Sequence, residues 1–408
     1  MGVIFVVAEA VKLGFSNGHP DWSNLGQGQP EVGEMEGAPP RLNSIELRPE
    51  DHAYGPLEGT GELREQIAAH YNRLYRQGKA SQYTAANVSV AAGGRLALTR
   101  AAAALGAVRV GHQCPDYTAY EDLFNAHLDR VEPVTLWGRA EDGFAVTSAD
   151  LATAVRDQRL DAFLFSNPCN PTGTVVRGDE LRRYVEISRE TRMALLSDEF
   201  YSHFIFEGEG LGPSTPGTGP VSTASYVDDV ERDPVLIFDG LTKNYRYPGW
   251  RLGWVVGPSD MVERTARTAS AIDGGPSRLS QRAALQVLEP ARADQETDAL
   301  REVFCAKRNV MLERLSGLGV RFPVASQSTF YCWGCLDQLP EPFNDGMSFF
   351  RRALDQRVLT VPGEFFDVNP GKRRGGESPF RQWMRFSFGP PMDNMQAGLD
   401  RLEAMLRG

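Results

Sequence analysis

Three short polar runs hold the residue types in this chain that could do chemistry. Asn167-Pro-Cys-Asn-Pro-Thr-Gly173, Asp198-Glu-Phe-Tyr201 and Asp239-Gly-Leu-Thr-Lys243 each follow an apolar stretch that reads as a strand. Between them they offer carboxamides, carboxylates, a phenol and an amine. Arg251 follows Lys243 across a Pro-Gly break. Singly, each run has an ordinary structural reading: a tight turn at the Asn-Pro and Thr-Gly steps, a helix cap at Asp198, a solvated lysine at 243. In open α/β sheets, however, ligands sit beyond the carboxyl ends of strands. Three such ends in one chain point to a single cleft with an amine and carboxylates in it.

Those runs need a sheet to hold them. The apolar stretches 161–166, 193–197 and 235–238 read as strands, with helix-like segments such as 181–187 between them. This alternation predicts an α/β fold with a mostly parallel sheet and helices on both faces. Upstream, Leu63, Ile67, Tyr71 and Leu74 recur at helical spacing from Gly61 onward. Val88–Val90 leads through Ala91-Ala-Gly-Gly94 into an alanine-rich helix from Leu96 to about 105. Glu289-Pro290 opens a second, α+β region. It holds a long helix near 293–316, a strand at 329–336, a helix near 346–355 and a last helix at 393–406 with Met395, Leu399, Leu402 and Leu406 on one side. Residues 1–50 read as irregular. The expected organisation is a large domain over 46–290, and a smaller one made of 1–45 with 291–408.

Composition narrows the function. A net charge of −10 argues against a nucleic-acid binder, while leaving room for a local basic pocket. Five cysteines in 408 residues are not a disulfide framework. Cys332-Trp-Gly-Cys335 lies within the strand at 329–336 and has no second pair at zinc spacing, so it is read as packing, with no metal expected. The apolar run Met1–Ala8 is too short to span a membrane and lacks a basic leader. A cytoplasmic protein with no membrane partner is expected. Nucleotide-binding glycine loops, H-E-x-x-H and G-x-S-x-G are missing from the sequence.

The order and spacing of the three runs resemble the fold-type-I pyridoxal-phosphate enzymes, specifically the class I/II aminotransferase family. Matching motifs stretch from about Tyr54 to Arg385. Thr-Lys-Asn-Tyr-Arg-Tyr-Pro-Gly-Trp-Arg-Leu-Gly-Trp254 looks like that family's lysine signature, and the other two runs look like the motifs that precede it. The resemblance implies pyridoxal 5′-phosphate as cofactor, joined as a Schiff base to Lys243, whose amine would then shuttle protons. Asp198 would keep the pyridine nitrogen protonated. Asn170 and Tyr201 would donate to the ring's phenolate oxygen, and Tyr117 would stack on the ring. Arg251, Thr242 and the loop Gly93-Gly94-Arg95 would bind the cofactor around its phosphate. Tyr54, and with it Ser277, would reach the neighbouring subunit's phosphate, which implies a homodimer with shared sites. Arg385 would clamp the substrate α-carboxylate with a bidentate fork, with Gly28 beside it.

That resemblance implies an aminotransferase working on small molecules, an α-amino acid and a 2-oxo acid. A lyase, cyclase or oxidase of amino acids with the same Lys243 apparatus is the alternative. Two positions depart from the family pattern. Gly240 stands where a small hydroxyl residue is usual, and Arg95 is bulky for its loop, so Arg95 is expected to compensate with a bond to the phosphate. His203 either lines the pocket or packs. Asp21, Glu31, Glu34 and Glu36 either bias the entrance toward a basic amino acid or form an exposed acidic loop.

Overall fold

Apolar runs without alternation bury both faces of a strand, and the 161–166, 193–197 and 235–238 stretches do so in the centre of a seven-stranded sheet. The computed structural model describes residues 2–206 and 219–407. Its strands are β1 (Ser23–Asn24), β2 (Val88–Ala91), β3 (Val108–Cys114), β4 (Val131–Trp137), β5 (Ala162–Ser166), β6 (Ala194–Asp198), β7 (Val235–Gly240), β8 (Gly253–Val256), β9 (Tyr331–Cys335), β10 (Val358–Leu359), β11 (Val361–Pro362) and β12 (Trp383–Ser387). Its helices are α1 (Gly2–Lys12), α2 (Gly61–Tyr75), α3 (Gly94–Ala104), α4 (Ala119–Asn125), α5 (Ser148–Gln158), α6 (Gly178–Thr191), α7 (Ser259–Ile272), α8 (Arg278–Val287), α9 (Pro290–Gly317), α10 (Gly346–Asp355) and α11 (Met392–Arg407). No described helix is long and apolar enough to cross a membrane.

The large sheet runs β2-β8-β7-β6-β5-β3-β4. β3, β4, β5, β6 and β7 are mutually parallel, and β8 alone runs against its neighbours. The α/β fold with a mostly parallel sheet is therefore what the chain adopts. Register places Ser166 beside Asp198, and Asp198 beside Phe238. The three strands thus end nearly level, and their following loops leave from one edge of the sheet. A second, three-stranded antiparallel sheet, β11-β12-β9, carries Arg385 in its central strand. β1 pairs with β10 and so ties the N-terminal segment to the C-terminal region.

The first fifty residues are not all irregular. Gly2–Lys12 is a helix, α1, and the reason it was not legible is its composition. The segment is apolar almost all round, so it shows no helical period, and its valines favour a strand reading. Val6 and Ala10 are buried, while Ile4 stays 70% exposed. The helix approaches so closely at Gly2 that a Cβ there would lie 3.0 Å from the Phe365 Cβ. The Phe5 ring packs against Phe350 and Phe365. Strands β3, β4 and β8 are also additions to the sequence reading.

Candidate active site

The ends of β5, β6 and β7, with the loop after β3, enclose a cavity of about 560 Å³. Its wall includes Gly28, Gly94, Arg95, Tyr117, Asn170 and Asp198, and also Tyr201, Thr242, Lys243, Arg251 and Arg385. Eleven of the fourteen expected site residues therefore meet in one place. Gly93, Tyr54 and Ser277 are not part of that wall. Gly93 lies directly behind it, because a Cβ on this glycine would sit 2.4 Å from Nη2 of Arg251. Its φ of +96° also suits only glycine. Tyr54 lies on the surface, 100% exposed.

Lys243 and Asp198 are two ionisable groups in the cavity wall. Burial pushes the Lys243 amine down to about 7, and the neighbouring Arg385, Arg251 and Arg95 push the same way against the pull of Asp198. Its Nζ donates to the carbonyl of Gly28. Burial pushes the Asp198 carboxyl up to about 6, opposed by a hydrogen bond from the Tyr120 hydroxyl at 2.6 Å, the Phe200 N–H and the Lys243 charge. Tyr120 thus fixes one oxygen of Asp198 from behind.

The carboxamide of Asn170 and the guanidinium of Arg385 form one unit. Arg385 Nη1 donates to Asn170 Oδ1 at 2.8 Å and Nη2 donates to the Gly26 carbonyl at 3.0 Å. Its Nε has no partner, although the side chain is 1% exposed. The guanidinium carbon lies over the Tyr331 ring at 4.0 Å and over the Phe366 ring at 4.9 Å. Arg251 donates Nη1 to the Pro248 carbonyl at 2.9 Å, with a φ of +50°. Arg95 donates Nε to the Tyr117 hydroxyl at 3.0 Å. Among the described residues, none of these three arginines has a carboxylate within ion-pair reach. A cavity with three such cations at its wall is built for anions.

Gly240 has a packing explanation. A Cβ there would lie 2.5 Å from the Leu252 carbonyl oxygen and 3.0 Å from the Phe200 ring, and a Cβ on Gly94 would lie 2.1 Å from that same ring. The Phe200 ring fills the wedge between the two glycines, so position 240 has no room for a hydroxyl side chain.

These features agree with similarities to known proteins. The family model for aminotransferase class I and II matches residues 20–402. The chain belongs to the class I and II aminotransferases. Among relatives of the enzyme, it is 25% identical over 393 residues to an aspartate aminotransferase of Sulfurisphaera tokodaii, covering 94% of this chain and 89% of that one. It is 30% identical over 319 residues to an arginine–pyruvate transaminase of Pseudomonas aeruginosa, covering 77% and 74%. A valine–pyruvate aminotransferase of Mycobacterium tuberculosis is 27% identical over 95% of this chain and 92% of its own. A solved structure of Thermus thermophilus aspartate aminotransferase with maleate superposes with a TM-score of 0.79 at 22% identity, over 100% and 97% of the two chains.

Several expected features of the aminotransferase lie elsewhere. His203 is buried, bonds Thr297 Oγ1 through Nδ1 at 2.7 Å and packs rather than lining the cavity. Of the acidic N-terminal residues, Asp21 pairs with Arg357, Glu31 with Lys307, and Glu34 accepts from the Arg41 N–H. None of them borders the cavity. Cys332 and Cys335 are free and buried in β9. Among the described residues no group of three or more His, Cys, Asp or Glu could hold a metal. Ser277 caps α8 through its side chain and is not part of the cavity wall. Sequence reasoning missed Tyr331, Tyr120, Phe366 and the two α1 residues, Val3 and Ile4, that reach the cavity. Tyr331 lies in β9, whose five residues are all buried, so the strand's own sequence does not mark which face meets the cavity.

Proposed function

We propose that the enzyme moves an amino group between an α-amino acid and a 2-oxo acid in this cavity, holding pyridoxal 5′-phosphate between Lys243 and Asp198. The observation that carries this reading is the amine lowered to about 7, set in one cavity with a buried carboxylate and three arginines without acid partners. When bound, the cofactor supplies an aldehyde for the lysine and an electron-accepting ring.

The residues divide the work by chemistry. Lys243, about half neutral at pH 7, would supply the amine that holds the aldehyde, and the same amine would move a proton at the substrate α-carbon. Asp198, steadied by Tyr120, favours the protonated ring nitrogen. Asn170 spends its Oδ1 on Arg385, which leaves its N–H₂ to donate to the ring oxygen beside Tyr201. Tyr117 stacks on the ring. The first turn of α3 at Gly94, with Gly93, Thr242, Arg251 and Arg95, takes the phosphate. Arg385 offers its unpaired Nε to the substrate α-carboxylate, next to Gly28.

The working unit is a homodimer, a reading supported by the full exposure of Tyr54 and its position beside Arg278, which donates to the Tyr54 carbonyl at 3.4 Å. A large domain over 46–290, with 1–45 and 291–408 closing over substrate, would exclude water from the reacting carbon. Each relative named above is an aminotransferase or transaminase, which favours transfer over elimination, cyclisation or oxidation.

The test is a panel of amino acids incubated with cofactor-loaded protein and a 2-oxo acid acceptor. Transfer predicts a new 2-oxo acid and a new amino acid in equal amounts. Ammonia release or oxygen uptake in their place would contradict it.

A further inference from the structure

Tyr331 was not singled out by the sequence, yet it touches both arms of the cavity. Its hydroxyl lies 3.1 Å from the Tyr201 hydroxyl. Its ring face lies 4.0 Å from the Arg385 guanidinium carbon. Tyr331 and Tyr201 are both buried, and Tyr331 is part of the cavity wall. A hydroxyl so buried that meets only one other phenol is fixed by that contact.

A phenol has a single proton to give. Between two phenols alone, either oxygen could be the donor. Once Tyr201 spends its proton on the cofactor's ring oxygen, the 3.1 Å contact requires Tyr331 to donate. The result is a chain of two hydrogen bonds in one direction, in which each bond polarises the next.

We propose that Tyr331 is a positioning residue acting through Tyr201: its O–H donates to the Tyr201 oxygen and makes Tyr201 the stronger donor toward the cofactor's ring oxygen. This rests on the function proposed above. The charged groups facing the phenol pair are Arg385 from β12 and Lys243 from the β7 loop, and Tyr117 adds a third phenol. Arg385 stays over the ring whether or not the hydroxyl is present, so the two contributions of Tyr331 are separable by removing one oxygen.

The experiment follows the visible absorption of the loaded holoenzyme against pH, without substrate. A stronger donor at the ring oxygen favours the unprotonated form of the lysine-linked nitrogen, so the wild-type band changes at lower pH. Tyr331→Phe is expected to move the midpoint up by about half a unit to one unit. Because the ring face is kept, KM for the amino acid should change less than about twofold. In Tyr201→Phe the second change, Tyr331→Phe, should add no further shift. An unmoved midpoint in Tyr331→Phe overturns the proposal, and so do shifts that add in the double variant. A loaded wild-type protein with no visible band would instead sink the proposed function itself.

Discussion

Two equally buried arginines show how this chain separates structure from chemistry. Arg100, on α3, gives Nε and Nη2 to the two oxygens of Asp273 at 3.0 and 2.6 Å, and Nη1 to the Val90 carbonyl at 2.8 Å. Every nitrogen is used. Arg385 has the same burial, but a carboxamide and a carbonyl stand where a carboxylate could, and Nε is left over. Arg100 is what a finished arginine–carboxylate pair looks like in this protein. Arg385 is the same fork with the carboxylate missing, and it borders the cavity. An unmet charge in a dry wall is costly to keep, so its place in the fold is explained by a ligand that completes it.

The pair can be broken from either side. Arg100→Ala leaves the mostly covered Asp273 carboxylate without its partner and should destabilise the protein by about 3 kcal/mol, read as a lower denaturant midpoint. The refolded fraction should keep its kcat. Arg385→Lys should do the reverse. It keeps the charge but loses the planar fork, so kcat/KM for the amino acid should fall about a hundredfold, with the unfolding midpoint nearly unmoved. A large stability loss at 385, or a large activity loss at 100, would erase the distinction.

A smaller effect sharpens the contrast between the cavity floor and an ordinary surface. In the proposed function the neutral amine is the nucleophile, and burial has pushed Lys243 down to about 7. Capture of the cofactor by apoprotein should therefore speed up about eightfold from pH 5.5 to 6.5, as the neutral fraction of the amine grows. It should level off above pH 7 to 8. Stopped-flow absorbance would follow it. A rate still climbing tenfold per unit at pH 9 would mean a lysine of ordinary basicity.

Much of this was legible because the site lies where strands stop. The three runs after β5, β6 and β7 follow apolar stretches, and polar residues at such ends have few structural reasons to cluster. Helices α2 and α11 were legible from their spacing. What escaped needed information that no local window holds. α1 shows no period because it is apolar on nearly every side. The absence of a side chain at Gly240 is explained by the backbone at Leu252 and Gly253 and by the Phe200 ring, forty residues away in sequence and wedged against Gly94. Tyr331 matters through Tyr201 and Arg385, which come from the loop after β6 and from β12, and one strand's sequence does not say which face meets them.

The central claim is that the amine at the end of β7 is the group that joins the cofactor. Loading the protein with pyridoxal 5′-phosphate, reducing with borohydride, digesting and mapping the peptides by mass spectrometry tests it most directly. The account predicts a phosphopyridoxyl adduct on Lys243 alone. An adduct on another lysine, or an unmodified Lys243 in fully loaded protein, would contradict it.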